Sequence, residues 1–196
     1  KQAIIEKGFW TVEDAAIGAH VDRLLAGYKF KSVDGLDLIT ASLRPPVRQV
    51  LESFFPISTL SFYKSWGRTK RDHRILGTTV DLQILIVCAW SSNSEFKLYS
   101  QSHHLDVPTE KAPNGNEQTV DPSYDIPGGT TTAMKNGGLA ILDARSWWRG
   151  MSGQIITLGY VVSTAEQWPK IPLTSTLRDK VESMKGMDSG TIRLNF

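Results

Sequence analysis

The spacing of apolar residues changes along this chain. From Ala15 through Ala16, Ala19, Leu24 and Leu25 it is roughly helical, and Thr11 with Glu13 and Asp14 behind it offers an N-cap. This predicts a helix ending near Gly27. Pro45 and Pro46 open a second, shorter helix through Val47, Val50, Leu51 and Phe54, which Pro56 closes. Beyond that point the period drops to two or gives way to short apolar runs, predicting strands over 59–63, 79–90, 95–99, 138–143 and 154–163. Residues 106–132 hold four prolines among Asn, Asp and Ser residues and read as a long irregular loop of the kind that covers a site. A last helix is expected over 173–185, and the tail 191–196 as a strand. Helices, then many short strands, then a helix predict a mainly β fold with flanking helices, a jelly roll or barrel. The chain is expected to be one domain over 1–196: a helical part to about 56, a barrel over about 57–165, and a C-terminal helix and tail over 166–196.

Composition narrows the function classes. The net charge is only +2, so the molecule as a whole is no polyanion binder by composition. The longest apolar run, 84–90, is far short of the roughly 20 residues a membrane span needs. With no apolar run of that length, a soluble protein without membrane contact is expected. The single cysteine, Cys88, forbids an internal disulfide and suits a reducing, cytoplasmic compartment. Its setting, Ile-Val-Cys-Ala, predicts a buried thiol.

Candidate chemistry is sparse. There is no Gly-x-Ser-x-Gly elbow, P-loop, dinucleotide fingerprint or Cys-x-x-Cys pair. His104-Leu105-Asp106 has the His-x-Asp spacing of a non-haem iron site. Only four histidines exist, His20, His73, His103 and His104, and none follows Asp106. Lys64, Arg68, Lys70, Arg71 and Arg74 surround Trp66, reading either as an anion or nucleic-acid patch or as a solvated strand edge. Asp143 stands at a predicted strand end beside Arg145, placed for acid–base work or for a salt bridge. Of the adjacent Trp147 and Trp148, alternation lets only one enter a barrel.

Four segments, in order, carry a resemblance. IIEKGFWTVEDAAIGAHVDRLL, VDLQILIVCAWSSNSEFKLYSQSHH, GGLAILDARSWWRG and GQIITLGYVV are similar to the phytanoyl-CoA dioxygenase-like branch of the Fe(II)/2-oxoglutarate oxygenases. The resemblance implies a double-stranded β-helix, and with it Fe(II) and 2-oxoglutarate. The family's His-x-Asp would fall in 64–77, where this chain has Asp72-His73; its distal histidine would stand at Trp148. Its oxoacid arginine would stand near Leu158-Gly159. The expectation is therefore a divergent relative with no cofactor, binding a small organic molecule in the barrel mouth. That protein would either only bind or catalyse a metal-independent isomerisation, cyclisation or dehydration. The candidate catalytic residues are Asp143, His73 and His104; the candidate ligand-binding residues are Trp148, Arg145, Arg71 and Trp66. Two alternatives stay open. One is an interaction module using the basic run for nucleic acid or an acidic partner. The other is an active dioxygenase with an atypical iron site built from His73, His104 and Asp106.

Overall fold

The computed structural model describes residues 1–27, 30–78, 81–162, 175–184 and 191–194. Their architecture is two six-stranded sheets, mainly antiparallel, laid face to face with helices on the outside of one of them.

The chain enters through a short helix α1 (Gln2–Lys7) and an edge strand β1 (Phe9–Glu13). Thr11 is part of that strand, not a cap. The cap of α2 (Ala15–Gly27) is Asp14, whose carboxylate accepts from the Ala16 and Ile17 amides at 3.0 and 3.2 Å and also pairs with Arg44. The predicted start was three residues early because the acidic side chain that caps belongs to Asp14 itself. A helix that sequence reading passed over, α3 (Val33–Ser42), follows, its Gly35 amide donating to Ser32 Oγ at 3.3 Å. Gly35, Ile39 and Thr40 weaken its helical signal, and Gly35 is needed there: a Cβ would run into the Phe30 carbonyl. Next, α4 (Pro45–Phe54) starts at the Pro pair as expected.

The first sheet runs β1–β9–β4–β11–β2–β12 and is backed by helices. Its members are β2 (Ser58–Trp66), β4 (Ile84–Trp90), β9 (Gly138–Asp143), β11 (Ile155–Val162) and β12 (Ile192–Leu194), with β12 alone parallel to its neighbour. Every residue of β4 is buried because both faces are covered. Leu85, Val87 and Ala89 meet the helices, while Ile84, Ile86, Cys88 and Trp90 face the second sheet. Burial pushes the Cys88 thiol up, away from the thiolate.

The second sheet runs β6–β7–β3–β10–β5–β8: β3 (His73–Arg74), β5 (Ser94–Tyr99), β6 (Thr109–Lys111), β7 (Glu117–Thr119), β8 (Gly129–Met134) and β10 (Trp148–Ser152). Within the stretch read as loop, 106–132, the chain thus adds a hairpin and a strand start to this sheet. The rest lies over its outer face, where Val107 and Ile126 pack on Tyr99 and Trp147. The helix α5 (Ser175–Met184) lies inside the predicted 173–185; residues 79–80, 163, 173–174, 185 and 195–196 of the predicted elements fall outside the described residues.

Candidate functional site

The space between the sheets closes around an aromatic cluster. On β10 the alternation sends Trp148 inward and Arg149 outward; on β3 and the residue before it, His73 points inward while Asp72 and Arg74 point outward. His73 and Trp148 are direct cross-strand partners, with ring centroids 5.6 Å apart. Trp66, from the end of β2, meets Trp148 edge-on at 4.8 Å and His73 at 5.7 Å, and Phe96 adds its ring at 6.3 Å from Trp148. Trp66, His73 and Trp148 are each less than a tenth exposed. Trp66 also donates through its indole nitrogen to Thr157 Oγ1 at 3.1 Å, which fixes its rotamer. What remains open beside Trp148 is a cavity of about 10 Å³ lined by Ile86, Cys88, Trp90, Phe96 and Leu98, room for one water at most.

His73 is the one titratable group in this cluster. Its Nδ1 is buried without a protein hydrogen bond, and burial pushes its pKa below the ordinary 6.5, so the ring is neutral. Asp72, the preceding residue, carries no exposed surface. Its carboxylate accepts from Arg149 Nε at 3.0 Å and Nη2 at 2.5 Å, and from the Tyr99 hydroxyl at 2.6 Å. This bidentate pair holds the two-residue strand β3 against β10. Sequence reading noted Asp72 only as half of a reversed motif. Its partners lie 27 and 77 residues away, so no local pattern announced it.

The Ser100–His104 corner is scaffolding for the same pair. Ser102 Oγ donates to the Tyr99 carbonyl at 2.6 Å and accepts from the Trp147 amide at 2.9 Å, fixing the start of β10. His103 bonds the Ile5 carbonyl at 3.1 Å through Nε2 and stacks with the exposed His104 at 3.8 Å. Trp147, turned outward, packs under the Arg74 guanidinium, 4.8 Å from its centroid.

The remaining sequence candidates bond to groups outside the cluster. Asp143 is buried and accepts from Arg145 through its amide, Nε and Nη2 at 2.9, 3.0 and 2.7 Å, so this pair forms the salt bridge. Arg71 pairs with Glu110 and donates to the Thr119 carbonyl; Arg74 donates to Glu117 at 2.7 Å, and Lys64 to Asn116 Oδ1 at 2.6 Å. Three of the five cations in the basic run therefore fasten the segment that carries β6 and β7, while Arg68 and Lys70 are exposed.

These residues do not fit an iron site. Trp148 has no lone pair to offer, and Asp72, the nearest carboxylate in sequence, is turned to the other face of the sheet. His20 lies on α2, beside Arg23, and His103 lies against α1 with the exposed His104 next to it. Among the described residues no three His, Cys, Asp or Glu side chains come together to hold a metal.

No protein-family model and no curated protein sequence matches this chain. Solved structures do. HygX from Streptomyces hygroscopicus, with nickel and 2-oxoglutarate bound, superposes with a TM-score of 0.57 at 12% identity, covering 89% of this chain and 90% of HygX. The epimerase SnoN, in complex with Fe3+, alpha ketoglutarate and nogalamycin RO, gives 0.58 at 14% identity, covering 83% and 82%. The fold expected from the sequence, a double-stranded β-helix with flanking helices, is the observed one, and it is shared with Fe/2-oxoglutarate-dependent enzymes.

Two measurements probe the cluster. Asp72→Ala leaves the Arg149 guanidinium and Tyr99 hydroxyl without their shared acceptor and is expected to cost about 3–5 kcal/mol in denaturant unfolding. A loss under about 1 kcal/mol would mean the pair does not hold β3. The depressed pKa of His73 sets the sign of a pH effect. Between the folded pKa and 6.5 the unfolded chain binds the extra proton, so stability is full above 6.5 and falls as pH drops below it. His103, also lowered by burial, adds to the slope. His73→Phe should make the urea midpoint fall less between pH 7.5 and 5.5; an unaltered slope would contradict the buried neutral imidazole.

Proposed function

We propose that this chain keeps the frame of the oxygenase fold without its iron and 2-oxoglutarate chemistry, and works by binding a small organic molecule at the barrel mouth. The observation that carries the reading is the pairing of Trp148 with His73. At the position where the family resemblance asks for a second imidazole stands an indole, packed edge-on against Trp66. The oxoacid side is equally altered, since Leu158 is a core residue beneath the helices and Gly159 has no side chain.

The cluster is closed, with Trp66, His73 and Trp148 each buried and only about 10 Å³ open beside Trp148, so a flat ligand stacked on it requires these rings to part. Should the protein catalyse a proton transfer, His73 is the group with the chemistry for it, a neutral imidazole with a free nitrogen. Asp143 is bound on both carboxylate oxygens by Arg145, and His104 is exposed beside α1.

The reading is tested on natively purified protein reconstituted anaerobically with Fe(II). The expected result is far less than one iron per chain after desalting, no consumption of 2-oxoglutarate and no change in melting temperature with both added. One tightly held iron per chain, released by His73→Ala or His104→Ala, would restore the active-oxygenase alternative.

A further inference from the structure

The helical layer does not cover the first sheet evenly. Beyond the last turn of α2, a cavity of about 440 Å³ opens between the helix and the outward face of β2 and β11. This lies in the range of roughly 300–1,000 Å³ typical of small-molecule sites. Its floor is Tyr63, Ser65 and Ile156, strand residues that alternation turns toward the helices. Leu24 and Leu25 form one wall. Phe30 forms the other, its ring lying 3.7 Å from that of Tyr63 and tilted by only 19°.

The polar groups of this cavity are few and of one kind. Lys31 lines it with an exposed ammonium that has no ion pair among the described residues. The Ser65 and Tyr63 hydroxyls join it, with no hydrogen bond to a described residue, and burial holds the Tyr63 phenol above its ordinary pKa, so it stays protonated and can donate. Among the described residues, no Asp or Glu lines the cavity.

We propose that this cavity binds a flat, mainly apolar molecule carrying one acidic group, such as an aromatic carboxylate, with the ring beside Phe30 and Tyr63 and the acid on Lys31. Apolar walls reward burial of the ring. An ammonium with two hydroxyl donors, and no competing carboxylate among the described residues, selects for an anion. The site lies on the opposite face of the sheet from the Trp148 cluster, so it stands or falls independently of the reading of the barrel.

The test uses the full chain and two probes, fluorescent 1-anilinonaphthalene-8-sulfonate and 2-naphthoate, with methyl 2-naphthoate as the neutral comparison. One sulfonate probe per chain is expected, displaced by 2-naphthoate, with affinity falling as salt rises. Lys31→Gln should weaken both anions about three- to tenfold and leave the ester within twofold. Ser65→Trp on the floor, or Leu25→Trp on the wall, should remove binding of all three while the melting transition stays cooperative. Undiminished binding in both tryptophan variants would overturn the site. An equal effect of Lys31→Gln on acid and ester would overturn the anion assignment.

Discussion

The barrel centre depends on where one carboxylate is held. Asp72 immediately precedes a two-residue strand and points outward, wholly buried, with Arg149 across two hydrogen bonds and the Tyr99 hydroxyl on a third. Strand alternation then leaves the next residue no choice, so His73 faces inward, and for the same reason Arg149 turns Trp148 inward against it. An ion pair on one face of the sheet thus sets an aromatic pair on the other. Removing a partner from such a buried pair costs far more than the pair itself contributes, which makes it a device of position more than of stability.

The same face explains the long segment between β5 and β8. Its polar composition gives it little core of its own beyond Val107 and Ile126. It is tied down by cations from beneath: Lys64 to Asn116, Arg71 to Glu110, Arg74 to Glu117 and Arg149 to the Pro122 carbonyl. Arginine suits this work, since its planar fork serves a carboxylate and a backbone carbonyl at once. The segment lies on the outside of the sheet, over Tyr99 and Trp147.

What could be read from the sequence was what local periodicity encodes. The doubly buried strand around Cys88, the Pro-Pro start of α4 and the rule that only one of Trp147 and Trp148 enters the barrel are all local statements. The cap falls at Asp14 and not at Thr11 because an N-cap is a matter of which side chain reaches the amides, and Thr11, Glu13 and Asp14 all offer an oxygen. Helix α3 was missed because Gly35 and the β-branched residues mask its periodicity, although Ser32 was a readable cap. In the site, His73, Trp66 and Trp148 were named from sequence and do meet in space, whereas Asp143, Arg145, Arg71 and His104 stand elsewhere. The roles of Asp72 and Ser102 have no local signal, because Asp72 bonds Tyr99 and Arg149, and Ser102 the Trp147 amide, across long stretches of sequence.

In the proposed reading, aromatic rings occupy the position where the family resemblance puts metal ligands. This reading is tested most directly by following the tryptophan indole NMR signals while Mn(II) and 2-oxoglutarate are added. The Trp66 and Trp148 indole signals are expected to persist at one equivalent of metal, broadened no more than those of the other tryptophans. A saturable loss of those two signals, reversed by a chelator, would place a metal among them and contradict it.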